Sequence, residues 1–503
     1  MDFVETRTGK LHGFVDNRGV STFLGVPFAK PPIGKLRWKP AQELEASDGV
    51  IECRKFGPSA VQFVDEVEPA SLYQQNEDCL YLNVWSRNPQ KPGQPVMVYI
   101  HGGAYFSGGA ADPLYNGATF ASKHDVVLVS INYRLNVFGS LQLSALPGGE
   151  DYPEAGYLAL TDQMMALKWV QENIAAFGGD PGKVTLFGES AGSASAALLA
   201  VTPAARGLFK RAICESGPIQ LYKTPEKAAP YAREFAEIMG CDDVDQLLAK
   251  STDEILEGMQ VLCDRHTFEV SLMFSPVCDG TLVPEKPMRA WMKGDAKGID
   301  IMIGSTEDEF TYFKFYFKPE EMPDFWHGQT TFHFDDSVDI AEWERIYEAA
   351  YPEIDFLGEY TEFMNQTGFR VGADLMAEGQ AQNGPVWNYL FRFKSRIDGM
   401  GACHAIELPF VFDNLDIDTV SEHITGPNAP QHLADEMGAA WYAFASTGNP
   451  NCPEIPEWKP FSAQERDYMV IDEREWILER DINAKNHELL IGMYDEIARP
   501  SVA

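Results

Sequence analysis

The stretch Lys183–Ala200, KVTLFGESAGSASAALLA, runs an apolar segment into a serine between two glycines and on into an alanine-rich segment. TLF reads as the end of a strand. From Ser193, the run SASAALLAV reads as a helix, because alanine and leucine lose little side-chain freedom there. A strand that turns sharply into a helix is the unit of a mostly parallel sheet covered by helices. Gly188, Glu189, Ser190, Ala191 and Gly192 fit G-x-S-x-G. The glycines answer a steric demand: a serine on so tight a turn needs neighbours without bulk two residues to either side. Five residues recur by chance, but a strand before them and a helix after them make Ser190 a candidate nucleophile. The plainer alternative is a small residue where a strand meets a helix.

The same alternation extends outward. VMVYIHGG from Val96, VVLVSINYRL from Val126, FKRAICESG from Phe209, IDIMIGSTEDE from Ile299 and PVWNYLFRF from Pro385 are short β-rich runs closed by Gly, Ser or Asn. LTDQMMALKWVQENIAAFG from Leu160 reads as a helix between two of them. The expected class is α/β: a central, mostly parallel sheet with helices on both faces. Two more polar, helix-prone regions, about 225–298 and 330–384, read as helical insertions over the active site. With no linker and no repeat, residues 1–503 are expected to form a single domain.

Composition narrows the function classes. The 503 residues carry 40 Lys and Arg against 75 Asp and Glu, a net charge of -35. Such a field repels phosphate backbones and anionic lipid heads, so neither nucleic acid nor membrane is an expected partner. MDFVETRTGKLHG at the N-terminus has no apolar core of a signal peptide, and a cytoplasmic location is expected. The eight cysteines show no CxxC pair or metal spacing, and Cys263 with His266 lacks a second ligand pair.

A serine nucleophile needs donors for an oxyanion and a base for its proton. His101, Gly102, Gly103, Ala104 and Tyr105 follow the strand VMVYI. The backbone N–H groups of Gly102 and Gly103, with that of Ala191 at the start of the helix, are the expected oxyanion donors. For the base, His266, His327, His333, His404, His423, His432 and His487 follow Ser190, and spacing does not choose among them. An orienting acid fits IGSTEDEF, where Glu307, Asp308 and Glu309 crowd a strand end.

The segments TFLGVPFAKPPIGKLRW from Thr22, NEDCLYLNVW from Asn76, HGGAY, INYRLNVFGSL from Ile131, the run from Leu158 to Gly192, LFKRAICESG, CHAIELPF and WYAFASTGNP from Trp441 resemble the carboxylesterase type B (cholinesterase-like) family of α/β-hydrolases. The likeness is greatest to bacterial para-nitrobenzyl esterases and covers nearly the whole chain. It implies a serine carboxylesterase for small to medium esters. Ser190 is then the nucleophile, His404 of the His-x-x-Glu-Leu segment the base, and Glu309 the orienting acid with Asp308 as fallback. Neither metal nor organic cofactor is implied. The resemblance also implies buried ion pairs Arg37–Glu77 and Arg134–Asp162, a serine near the triad at Ser216, and Glu189 facing the gorge beside the nucleophile.

The sequence departs from the family in informative places. Ala60 stands where secreted relatives carry the bridge partner of Cys79, which favours a reducing compartment. The loop Val61–Gln75 has no tryptophan for a quaternary ammonium, although Tyr73 offers a ring. Asn136 replaces a glycine, and Phe310 follows Glu309 where relatives often carry glycine. Phe313, Phe317, Phe325, Trp326 and Phe332 suggest an apolar pocket mouth. The same machinery serves thioesters, carbamates and amides. A non-catalytic adhesion protein is a further alternative, opposed by the presence of both Ser190 and His404. Oligomeric state is not legible.

Overall fold

The computed structural model describes residues 1–64, 74–315, 317–318, 320–334, 338–354 and 361–494. Its chain divides into two compact units. One comprises Met1–Phe187, Ala204–Lys210 and Tyr222–Asp279; the other comprises Gly188–Pro203, Arg211–Leu221 and the chain from Gly280 onward.

The first unit holds β1 (Phe3–Thr6), β2 (Gly9–His12), β3 (Phe14–Val15), β4 (Ser21–Pro27), β5 (Val50–Glu52), β6 (Tyr81–Ser86), β7 (Gln94–Ile100), β8 (Val127–Ile131) and most of β9 (Gly179–Glu189). A small sheet runs β1-β2-β5, and the other strands are ordered β9-β7-β8-β6-β4-β3. β7 and β8 pair in parallel from Val96↔Val127 to Ile100↔Ile131, while β6, β4 and β3 continue antiparallel. Every residue of β7 and β8 is buried. Strands apolar on both faces hold their place only where both faces are covered.

The second unit holds β10 (Arg211–Glu215), β11 (Asp300–Thr306), β12 (Val386–Phe391), β13 (Asp467–Ile471) and β14 (Trp476–Arg480), in the order β14-β13-β12-β11-β10. β10 to β13 run parallel and β14 turns back. Helix Ala191–Val201 packs on β10, and helix Val371–Ala381 on β11 and β12. All six strands expected from the sequence are present. The expected strands β7, β8 and β10 to β12 pair in parallel, and short strands that the apolar runs did not reveal add antiparallel pairs in both units. The region 225–298 carries helices Pro225–Ile238, Val244–Leu248, Thr252–Arg265, Val270–Met273 and Pro287–Met292. Region 330–384 carries Ile340–Ala350, a π turn Asn365–Arg370 and Val371–Ala381. No helix among the described residues is long and apolar enough to cross a membrane.

Two buried arginines pin the first unit. Arg37 meets Glu77 through Nε and Nη2 at 2.7 and 2.5 Å. Arg134 meets Asp162 at 2.8 and 2.6 Å, and the Arg134 backbone N–H also donates to that carboxylate. Removing one partner of such a pair strands a charge in the interior. Asp162→Ala is therefore expected to cost about 3–5 kcal/mol, read as a lower denaturant midpoint, and Asp162→Ala with Arg134→Met should recover most of it. Asn136 sits at φ 48°, a left-handed conformation that asparagine tolerates better than other residues with a Cβ. Its side-chain amide donates to the Val61 carbonyl at 2.7 Å, a tie that a glycine there would lack. Ala60 and Cys79 line one small cavity with Arg37, Glu77 and Arg134. Cys79 is a buried free thiol, and burial pushes its pKa well up. Tyr73 lies outside the described residues.

Candidate active site

Ser190 stands at the turn from β9 into helix Ala191–Val201, at φ 55° and ψ -122°. A residue with a Cβ holds such a conformation only where its surroundings fix it. Here the Ser190 N–H donates to the Glu215 carbonyl at 2.9 Å, and the Ser190 carbonyl accepts from Ala194 at 2.9 Å. Gly217 completes the clamp: a methyl group there would come within 2.1 Å of the Ser190 carbonyl oxygen. The sequence reading passed over Gly217, although it closes the CESG segment. Ser190 itself is half-buried and Ala191, the first helical residue, is fully buried.

Of the candidate histidines whose side chains are described, which leaves out His327 and His333, His404 is the one joined to the acidic strand end. Its Nδ1 lies 2.6 Å from Glu309 Oε2, and both side chains are buried. Glu309 is fixed in turn, its Oε1 accepting the Thr306 N–H at 2.7 Å while its carbonyl accepts the His404 N–H at 3.2 Å. The neighbouring acids are engaged elsewhere. Asp308 Oδ2 accepts the Ala402 N–H at 2.9 Å, and Glu307 pairs with Arg392 at 2.8 Å.

Glu189 is buried, with Oε1 3.0 Å from His404 Nε2, a contact with the base that sequence reasoning missed. The contact is an ion pair without hydrogen-bond geometry, and neither atom has a hydrogen-bond partner among the described residues. Nε2 is thus charge-stabilised when protonated and, in the neutral ring, has a lone pair available to accept a hydroxyl proton. Burial opposes charge on His404, but the flanking carboxylates of Glu189 and Glu309 outweigh it and hold the imidazole's pKa well above its usual value. Burial raises Glu189 as well, against the pull of His404. The direction on His404 is the firmer of the two, because two carboxylates flank one ring.

Ser216, at φ 50°, does not reach these groups directly; its hydroxyl donates to Glu407 Oε1 at 3.2 Å. Aromatic rings wall the imidazole: Phe369, Phe313 and Tyr312 have centroids 4.9, 5.6 and 6.4 Å from it. Phe310 packs behind them on Phe313 and Phe325, at 4.9 and 5.5 Å, and its N–H donates to Asn365 Oδ1. Phe317 stacks on Phe325 at 4.1 Å. The side chains of Trp326 and Phe332 lie outside the described residues. Phe369, which sequence reasoning missed, comes from the π turn, a segment without helical or strand periodicity.

Gly102 and Gly103 belong to the first unit, just past β7. Gly103 takes φ 92°, and a Cβ there would meet the Ser107 carbonyl at 2.2 Å; Ala104 and Tyr105 follow at φ 54° and 57°. Three successive left-handed residues make this a sharply built turn. His101 anchors it, stacked on Tyr133 at 4.4 Å with Nδ1 2.8 Å from the Gly102 carbonyl; burial lowers its pKa to about 4.

Chemically, a serine on a strained turn and an imidazole buttressed at Nδ1 and open at Nε2 are the parts of a nucleophile–base pair. The chain matches the model of the carboxylesterase family over residues 1–489. It is 36% identical to the para-nitrobenzyl esterase of Bacillus subtilis (strain 168) over 97% of this chain and 98% of that one. To the phenmedipham hydrolase of Pseudarthrobacter oxydans it is 34% identical, over 96% and 97%. A crystal structure of a Geobacillus stearothermophilus carboxylesterase superposes with a TM-score of 0.85 at 35% identity, covering 97% of this chain and all of that one. With its fold, its strained serine and this agreement along almost its entire length, the chain belongs to the carboxylesterase family, the α/β-hydrolase-fold enzymes that hydrolyse carboxylic esters.

Proposed function

We propose that Ser190 is the nucleophile, His404 the general base and Glu309 the acid that orients it, acting on small to medium esters with apolar acyl or alcohol groups. The observation that carries this reading is His404: fixed by Glu309 at 2.6 Å on Nδ1, and without a hydrogen-bond partner on Nε2 among the described residues. His404 takes the Ser190 proton as the oxygen attacks the ester carbonyl, then gives it to the departing alcohol; water repeats the steps on the acyl-enzyme. The backbone N–H groups of Gly102, Gly103 and Ala191 serve as oxyanion donors on the strength of the sequence resemblance. The rings of Phe369, Phe313 and Tyr312 favour an apolar substrate beside the imidazole. Ala60, standing where a bridge partner for Cys79 would be, supports a cytoplasmic location.

The test is covalent labelling with a fluorophosphonate, followed by peptide mapping, beside a panel of p-nitrophenyl esters of increasing acyl length with a thioester and a carbamate. The label is expected on Ser190, with the highest kcat/KM among short to medium acyl chains. A folded protein that takes no label would overturn the reading, and a thioester or carbamate faster than every ester would reassign the bond it cleaves.

A further inference from the structure

The last carboxylate of β10 has no part in the mechanism above. Glu215 is fully buried. In the parallel register it lies beside Gly304 of β11, which lies beside Tyr389 of β12, so the three form one row on one face of the sheet. A methyl group on Gly304 would come within 2.3 Å of the Tyr389 ring; the ring occupies the space that a side chain there would fill, within the row that Glu215 begins. Trp441 donates its indole N–H to Glu215 Oε1 at 2.6 Å, its ring centroid 5.5 Å from that of Tyr389. Among the described residues, Glu215 Oε2, the Tyr389 hydroxyl and Glu407 Oε2 all lack a hydrogen-bond partner. The titratable groups that act on Glu215, or on which it acts, are Glu189, Glu407, Cys214 and Tyr389, and none of them is a cation. A buried carboxyl in such company keeps its proton.

We propose that Glu215 is a positioning residue for ester hydrolysis: a carboxylic acid whose retained proton, through Glu189 and Glu407, limits the negative charge around His404. The proposal rests on the catalytic reading of Ser190, His404 and Glu309. Burial pushes the Glu215 pKa up to about 8, with the Trp441 hydrogen bond pulling the other way. Once Glu215 ionises, its charge adds to that of Glu189, which already lies 3.0 Å from His404 Nε2. The imidazole then holds its proton more tightly, so at a given pH less free base is left for Ser190 and the free-base limb of the rate lies at higher pH. Stability follows the same proton. A carboxyl whose folded pKa is raised holds a proton that the unfolded chain has released, so this contribution falls as pH rises from about 4 to about 8 and is level above.

The test is kcat/KM for p-nitrophenyl acetate from pH 5 to 10 in the full chain and in Glu215→Gln, which keeps the shape and the Trp441 contact. Wild-type kcat/KM is expected to rise with pH as His404 loses its proton, and to level off only after Glu215 has ionised. Glu215→Gln, neutral at every pH, should complete the same rise at least half a pH unit lower, with KM within twofold, and its melting temperature should fall less between pH 5 and pH 8. Superimposable pH profiles from two folded proteins would overturn the proposal. Should Glu215→Gln not fold, Trp441→Phe removes the indole donor on Oε1 while leaving Glu215, which then holds its proton to higher pH, and the rise is expected to move part of the way toward lower pH; an unmoved rise overturns the proposal equally. Ser190→Ala run in parallel separates the two readings. If it hydrolyses normally, the catalytic assignment fails; if it is inactive and the profiles coincide, only the role of Glu215 fails.

Discussion

Ser190→Ala is expected to lower kcat for p-nitrophenyl acetate by about 10⁶-fold, the loss that accompanies removal of the nucleophile in another serine hydrolase. The variant should fold normally, because what holds residue 190 is backbone: its N–H on Glu215 and its carbonyl on Ala194. Alanine keeps the Cβ and hence the strain at φ 55° and ψ -122°. Ser190→Gly removes that strain and should be as inactive while gaining about 1 kcal/mol of stability. Opposite movements of activity and stability at one position are the signature of a residue placed for chemistry at the expense of the fold. Steady-state rates and melting curves on the three proteins check this together. A rate for Ser190→Ala within a hundredfold of wild type would remove Ser190 from the mechanism.

What the sequence revealed, and what it did not, follows from which interactions leave a local pattern. β7 and β8 are buried along their whole length and read as nearly continuous apolar runs, so these parallel strands were legible. β2 alternates buried with partly exposed residues over four positions, β14 buries only the first of its five residues, and β3 has only two residues; such strands are defined by their partners more than by their own composition. The serine turn was legible because it compresses a strand, a strained residue and a helix into a few positions with a steric requirement for glycine. His404 was not legible from spacing. It lies 95 positions from Glu309 in a turn without periodicity, and only its resemblance to the His-x-x-Glu-Leu segment singled it out. Glu189 was legible as a neighbour of the nucleophile but not as a neighbour of the base, since that contact exists only after β9 and the His404 turn are brought together.

Glu309→Gln is the second change with a large expected effect, and its cause is a tautomer. Glu309 Oε1 accepts the Thr306 backbone N–H at 2.7 Å while Oε2 faces His404 Nδ1 at 2.6 Å. A carboxylate accepts at both places. An amide has one acceptor, and the Thr306 N–H, buried and a donor only, claims it. The glutamine nitrogen is then turned toward His404, so Nδ1 must accept and Nε2 must carry the proton. An imidazole in that tautomer has no lone pair for the Ser190 hydroxyl. The loss expected in kcat is about 10⁴-fold, as found where a triad carboxylate became an amide without change of shape. Asp308→Asn is the matched control: Asp308 is adjacent in sequence and equally acidic in type, but its carboxylate accepts the Ala402 N–H, and the loss should be under tenfold. Measuring kcat and the fluorophosphonate labelling rate for both variants decides the orienting acid. If Asp308→Asn loses thousands-fold while Glu309→Gln stays within tenfold of wild type, the acid is Asp308 and the 2.6 Å contact is structural.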